Sequence, residues 1–421
     1  MSVADGLPAI TSVYQPIVDL DTGVTVAYEA LVRGAPGSPL HTPAELFAWA
    51  HLHGRLADFD WACRLSAVGG VIDTGLPSGV GLFVNVEPTM TDLRSPALLD
   101  RLAELAQESG ARLVVEVTER RLADDVGGLL RFVDEVRARG WAVAIDDVGA
   151  VPASLALMPL LAPEVIKLDL ALIQARTTVE TARIVNAVMA QAERTGAVVL
   201  AEGIETPAHE ELARSMGARL GQGWRFGRPA ALPEVPVARP LRLTPASARA
   251  HPVSPWDLVC DQPAVRRARK PLLLAMSQHL ERQVLAGDDA TLLLGALQLS
   301  RYFYPVTARR YEALAATAFL VAVFGDGVSP DPAPGVRGQA LLQGDPLLEE
   351  WTVVVITPHF AGALIANDVH DAGEQAERRF DYVVTFDRDI VLAAASSLVR
   401  RMQPCEQPRI VGAAQPVTAL R

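Results

Sequence analysis

Short apolar runs recur through the first half of this chain, and few folds accommodate them. They lie at Val13 to Leu20, Val24 to Val32, Leu82 to Val86, Leu113 to Val117, Ala142 to Ile145, Val165 to Leu170 and Val198 to Ile204. None alternates strictly, as expected of strands buried on both faces of a parallel sheet. Helical punctuation separates most of the later runs. In SPALLDRLAELAQESG, Ser95 can cap and Pro96 suits the first helical position. Leu98, Leu99, Leu102, Leu105 and Ala106 make the stripe, and Gly110 ends it. Leu129, Phe132, Val133 and Val136 repeat the pattern before Gly140. Strand–helix units repeated from Ser12 to about Ala230 fit a closed α/β barrel.

Seven prolines between Pro229 and Pro255 then mark an extended linker or wrapping segment. A second, smaller α/β unit is expected from about Trp256. Helical patterns run through Lys270 to Ala286, Ala290 to Tyr302 and Ala308 to Ala318. Strand-like runs follow at Phe319 to Phe324, Trp351 to Ile356 and Tyr382 to Thr385, and GDGVSPDPAPGVRGQ reads as a loop. The basic run Arg266 to Lys270 reads as a solvated face, and the tail after Cys405 as loose.

Composition narrows the function classes. Of 421 residues, 38 are basic and 49 acidic, a net charge of −11, which argues against a nucleic-acid polymer as partner. Mean hydropathy is +0.21, yet no uninterrupted apolar run approaches the ~18 residues of a membrane span. The opening MSVADGLPAI lacks the basic start and apolar stretch of a secretion signal. Cys63, Cys260 and Cys405 fit neither a zinc spacing nor a disulfide framework, so a reducing cytoplasm is the expected compartment. GxSxG, HExxH and P-loop motifs are absent, and His41, His51 and His53 read as surface residues.

The chemistry is concentrated where the apolar runs end. FVNVEP places Asn85 there, VVEVTE places Glu116 and Glu119, and AIDDVG places Asp146 and Asp147. VIKLD places Lys167 and Asp169, and VLAEGIE places Glu202 and Glu205. In a parallel barrel the carboxyl ends of the strands share one face, where chemistry sits. Carboxylates gathered there are tolerable with cations between them, and oxygen ligands suit Mg²⁺ or Mn²⁺. Two such ions can clamp a phosphate and activate water. Lysine is rare in this chain, present only as Lys167 and Lys270, and arginine supplies the other cations. A lysine kept at a strand end is therefore a candidate for work a guanidinium cannot do.

With these residues in view, the chain resembles the EAL domain, the cyclic di-GMP phosphodiesterase family. The naming motif stands as YEALVRG, preceded by YQPIVDLDTG and followed in order by FVNVEP, EVTER, DDVGA, IKLD, AEGIE and GQGWRFGRP. The resemblance covers an EAL domain over 8–230, a Pro-rich linker over 231–258 and a second domain over 259–405. It implies an α/β barrel of the TIM type, (β/α)8, whose first strand is reversed, and hydrolysis of cyclic di-GMP to linear pGpG with two Mg²⁺ or Mn²⁺ ions. Glu29, Asn85, Glu116, Asp146 and Asp147 would then hold the metals. Lys167 would engage the nucleophilic water, Glu202 would complete the metal and water network, and Gln222 would support the site. Gln15, Arg33 and Asp169 would contact the ligand, and Glu119 would brace the loop after Asp147, which in this family couples dimerisation to activity. A homodimer is implied.

One stretch departs from the family: DDVGAVPASL stands where DDFGTG is usual. It leaves an alternative open, a catalytically impaired cyclic di-GMP receptor, and behind that a scaffold with neither activity nor ligand. The second unit resembles the DICT domain, a sensory module, through EEWTVVVITPHFAGALIANDV and RRFDYVVTFDRDIV. That resemblance implies an unidentified signal ligand or partner, for which Trp351, His359, Asp368, Arg379 and Asp387 are pocket candidates.

Overall fold

The computed structural model describes residues 6–72, 74, 76–86, 96–117, 125–150, 152–234, 237–246, 252–286, 290–371 and 377–404. Ser95, Glu119 and Cys405 lie outside them. The chain divides into two compact units.

The first unit is a closed eight-stranded barrel. Strands β1 (Ile10–Asp19) and β2 (Thr25–Gly34) form an antiparallel hairpin. Then come α1 (Pro43–Leu52), α2 (Leu56–Ile72), β3 (Gly81–Val86), α3 (Pro96–Ser109), β4 (Arg112–Val117), α4 (Val126–Ala138), β5 (Ala142–Val148) and α5 (Pro152–Leu161). The barrel is completed by β6 (Val165–Leu168), α6 (Leu170–Gln174), α7 (Val179–Thr195), β7 (Val198–Ala201), α8 (Pro207–Ser215) and β8 (Leu220–Gln222). Strands β2 to β8 run parallel, and β1 is antiparallel to both of its neighbours. The reversed first strand implied by the sequence is thus present.

Helix starts follow local chemistry. Thr42 and Glu45 form a capping box on α1, and Thr178 and Thr206 cap α7 and α8. Two strands end sooner than the apolar runs predict. The Asp169 carboxylate accepts the Ala171 N–H at 2.8 Å and starts α6, which cuts β6 off at Leu168. The chain leaves β7 at Glu202 and turns through Gly203, whose φ is +65°.

Ile17, Ala27, Phe83, Val114, Ala144, Val165, Leu200 and Leu220, one from each strand, fill the barrel as a buried apolar ring. Leu241 and Leu243, from the Pro-rich segment, join the same cluster. The wrapping alternative therefore describes residues 237–246, which strap the amino-terminal end of the barrel. Arg239 N–H donates to the Thr25 carbonyl at 2.9 Å, Leu241 N–H to the Gly79 carbonyl at 2.9 Å, and Ala246 N–H to Glu164 Oε1 at 3.1 Å.

The second unit is a seven-stranded mixed sheet. It comprises β9 (Arg266–Arg269), α9 (Lys270–Glu281), α10 (Gln283–Ala286), β10 (Leu292–Leu299), α11 (Pro305–Ala315), β11 (Leu320–Asp326), β12 (Val336–Ala340), β13 (Glu350–Ile356), β14 (Ala361–Asp368), β15 (Arg379–Thr385) and α12 (Arg388–Val399). The order across the sheet is β12-β11-β10-β13-β14-β15-β9, with β10, β11 and β12 parallel. The helix expected over Ala290 to Tyr302 is instead strand β10 followed by one 3-10 turn. A strand buried on both faces carries a continuous apolar run that periodicity cannot tell from a helix. The basic run is the edge strand β9, whose Arg267 forms a bidentate pair with Asp381 at 2.7 and 2.8 Å. Charged edges of this kind discourage pairing with other chains. No described helix is long and apolar enough to cross a membrane.

Candidate active site

Directly above the apolar ring, each strand carries a polar side chain two residues nearer the carboxyl-end mouth. Glu29 follows Ala27, Asn85 follows Phe83, Glu116 follows Val114, and Asp146 follows Ala144. Lys167, Glu202 and Gln222 stand in the same relation to Val165, Leu200 and Leu220, and Gln15, on the reversed strand, precedes Ile17 by two. A period of two keeps side chains on one face, so the ring and the polar layer both point inward.

The layer is centred on Lys167, which is 1% exposed. Its Nζ lies 2.5 Å from Glu116 Oε1, 2.7 Å from Glu202 Oε1, 2.9 Å from Asp146 Oδ1 and 3.8 Å from Glu29 Oε1. Glu29 is held from two sides: Asn85 Nδ2 donates to Oε1 at 3.2 Å and Gln222 Nε2 to Oε2 at 2.6 Å. Gln222 Nε2 also reaches Gln15 Oε1 at 3.1 Å, and Gln15 Nε2 donates to the Gly227 carbonyl at 3.1 Å. The GQGW turn needs its second glycine: Gly223 has φ +155°, and a Cβ there would fall 2.1 Å from the Ile204 carbonyl oxygen.

Between Ile145 and Val148 the register of β5 on β6 slips, and Asp147 takes a φ of +52°. Such an irregularity re-aims side chains, and aspartate tolerates the left-handed region better than most residues. Ligand oxygens of Asp146, Asp147 and Glu202 come within 4.8 Å of one another. The departing DDVGA stretch keeps a turn, with Ala150 N–H donating to the Asp147 carbonyl at 3.1 Å and Val148 fully buried.

Several carboxylates around one ammonium leave a surplus of negative charge. Burial alone would strip the Lys167 proton, but Asp146, Glu116, Glu202 and Glu29 together hold it charged far above the usual range. Burial, reinforced by the Glu29 charge, drives the Glu116 carboxyl well up. Glu202 is pushed up to about 8, chiefly by burial, with Lys167 opposing. Glu116 Oε2 and Gln222 Oε1 are buried and have no hydrogen-bond donor among the described residues. Orphaned oxygens beside surplus charge are what a hard divalent cation satisfies, so the donor set fits such an ion.

Not every expected residue joins this cluster. The Asp169 carboxylate is engaged in capping α6. Arg33 shares the Glu29 face of β2 by alternation, while its Nη1 donates to the Val32 carbonyl at 2.8 Å. Glu119 lies outside the described residues. The Gly227 carbonyl that fixes Gln15 was not anticipated, although it belongs to the GQGWRFGRP block. Of the sensory-pocket candidates, Trp351, Asp368 and Arg379 lie at one end of β13, β14 and β15, and His359 and Asp387 lie past the other end. Trp351 packs edge-on against Phe380 with ring centroids 5.7 Å apart, His359 is exposed, Asp368 pairs with Arg378, Arg379 with Asp371, and Asp387 caps α12.

Known proteins give the cluster a context. Residues 259–368 match the DICT model, described as a sensory domain in diguanylate cyclases and two-component systems. NbdA of Pseudomonas aeruginosa, named a cyclic di-GMP phosphodiesterase, is 29% identical over 222 residues, 51% of this chain and 28% of its own length. MucR of the same organism, named a bifunctional diguanylate cyclase/cyclic di-GMP phosphodiesterase, is 28% identical over 226 residues, 51% of this chain and 32% of its own. The chain therefore spans less than a third of the length of either relative. A structure of Klebsiella pneumoniae BlrP1, solved as a manganese/cy-diGMP complex at pH 6, superposes with a TM-score of 0.47 at 28% identity, covering 54% of this chain and 57% of that one. Residues 8–229, more than half of the chain, match the EAL domain model, and the chain belongs to the EAL domain family.

Proposed function

We propose that this chain is a metal-dependent phosphodiesterase that opens one phosphodiester of cyclic di-GMP to give linear pGpG. The observation that carries this reading is Lys167 buried among four carboxylates at the barrel mouth. Glu29, Asn85, Glu116, Asp146 and Asp147 would hold two Mg²⁺ or Mn²⁺ ions. When bound, such ions supply charge stabilisation for the phosphoryl oxygens and make the attacking water more acidic. Lys167 and Glu202, 2.7 Å apart, orient that water and manage its proton. Gln222 and Gln15 keep Glu29 in place. Water oxygen bonds to phosphorus, the P–O3′ bond breaks, and the ribose oxygen takes up a proton. Arg33 and Gln15 would meet the anionic ligand, as would Asp169 from its place at the start of α6.

In this reading the EAL domain spans 8–230, the linker 231–258 and a DICT-like domain 259–405. A signal ligand or partner of the last would set the activity of a cytoplasmic homodimer. Incubating the purified full chain with cyclic di-GMP and Mn²⁺ or Mg²⁺, and separating products by chromatography, tests it. Expected is pGpG, and a rate about a thousandfold lower for Lys167→Ala. Undiminished turnover in that variant would remove Lys167 from the mechanism. Calorimetric binding of cyclic di-GMP without any product would select the receptor reading raised by the DDVGAV stretch.

A further inference from the structure

At the opposite end of the barrel from the carboxylate cluster lies a cavity of about 320 Å³. Arg219, at the start of β8, lines it together with Arg239 and Arg242 from the strap. None of these three guanidiniums makes an ion pair or side-chain hydrogen bond among the described residues, whereas most arginines around the barrel are engaged with carboxylates or carbonyls. Among the described residues the one acidic side chain lining the cavity is Asp19, whose Oδ1 accepts from the Thr22 amide and hydroxyl at 2.8 and 2.9 Å. The inner wall is apolar, formed by Val26, Val198, Leu220 and Leu241.

Three arginines line this cavity against a single carboxylate, Asp19, and in a chain of net charge −11 that local surplus of positive charge suits an anion. A guanidinium presents a planar fork that matches phosphate in a bidentate manner. An apolar wall behind that fork accommodates an organic body. We propose that this cavity is a second ligand site, which binds a small phosphate ester with an apolar or aromatic body and is separate from the carboxylate mouth. Its size and the net charge of the chain both disfavour a polymer. Because Arg239 and Arg242 belong to the strap that runs on toward the second family match, an occupant ties strap to barrel.

Calorimetry on the full chain in EDTA, with adenosine 5′-monophosphate and inorganic phosphate as probes, tests the site. EDTA keeps cations from recruiting phosphate to the mouth. Adenosine monophosphate should bind at one site and about tenfold more tightly than inorganic phosphate, since only the ester covers the apolar wall. Arg219→Gln and Arg242→Gln should each weaken it about tenfold, while Arg33→Gln, at the mouth, should change it less than about twofold. Arg219 and Arg242 are exposed, so these variants retain the fold. Hydrogen exchange at the Arg239 and Leu241 amides should slow with ligand. No binding at millimolar probe, binding indifferent to both Arg219→Gln and Arg242→Gln, or binding lost in Arg33→Gln would each overturn the proposal. Equal affinity for the two probes would overturn the organic body.

Discussion

Lys167 is legible in the sequence because lysine is so scarce, but the reason Glu29 is poised beside it is not. Glu29 belongs to strand β2, and only the hairpin register, Gln15 opposite Glu29, brings the first strand into the layer. The clamp on Glu29 by Gln222 joins residues 193 positions apart, a separation no local pattern can encode. Groups that orient a metal ligand usually alter affinity about 10–100-fold when removed. Gln222→Leu should therefore weaken Mn²⁺ binding, measured by calorimetry on the free protein, by a factor in that range. Unchanged affinity would mean that Asn85 holds Glu29 alone. The five metal candidates and Glu202 could be found from strand ends and motif blocks, whereas the placement of Asp169 could not, since a helix cap and a ligand contact use the same residue type.

At the scale of elements, the barrel strands are readable because each apolar run is short and punctuated. The second unit is harder, and β10 shows why. Leu292–Leu299 is flanked by strands on both sides and covered on both faces, so every position but Gln298 is apolar or small and no period survives. The strap is the other element the sequence obscures. Its prolines announce an extended chain, but nothing local says that Leu241 and Leu243 complete a core built from distant strands. Gly81 records the closeness of that packing: a Cβ there would fall 2.6 Å from Leu241 Cδ2 and 2.7 Å from Ala27 Cβ. Gly81→Ala should cost about 1–3 kcal/mol in denaturant unfolding, and less in a Leu241→Ala background. Additive costs in the double variant would show that the strap does not press on β3.

At the scale of the whole molecule, each of the two units has its own core, and acidity should act on them differently. In the second unit Glu350 is 1% exposed, and burial pushes its carboxyl up to about 7 against the pull of Ser254 and the Trp256 amide. The folded state thus holds a proton that the unfolded chain releases near pH 4.3. Stability from this group is complete below that value and is lost as pH rises to about 7, amounting to on the order of 3–4 kcal/mol. Glu350→Gln should flatten this fall in thermal unfolding of the second unit between pH 4.5 and 7. A variant whose pH profile parallels that of the parent would assign the fall to other groups.

The barrel closes where the shortest strand meets the reversed one. Strand β8 is joined to β1 through Ile17, Val18 and Asp19 and to β7 through Leu200 and Ala201, a slender zipper beside the long β1–β2 hairpin. Gln222, which steadies Glu29, sits on that zipper. Transient unzipping would therefore dismantle the polar layer before it disturbs the rest of the cylinder, since openings begin where cross-strand bonds are fewest. Amide exchange in β8 should outpace that in β4, and cyclic di-GMP at the mouth should slow it. Breathing of the cylinder and readiness of its chemistry would then be one and the same motion.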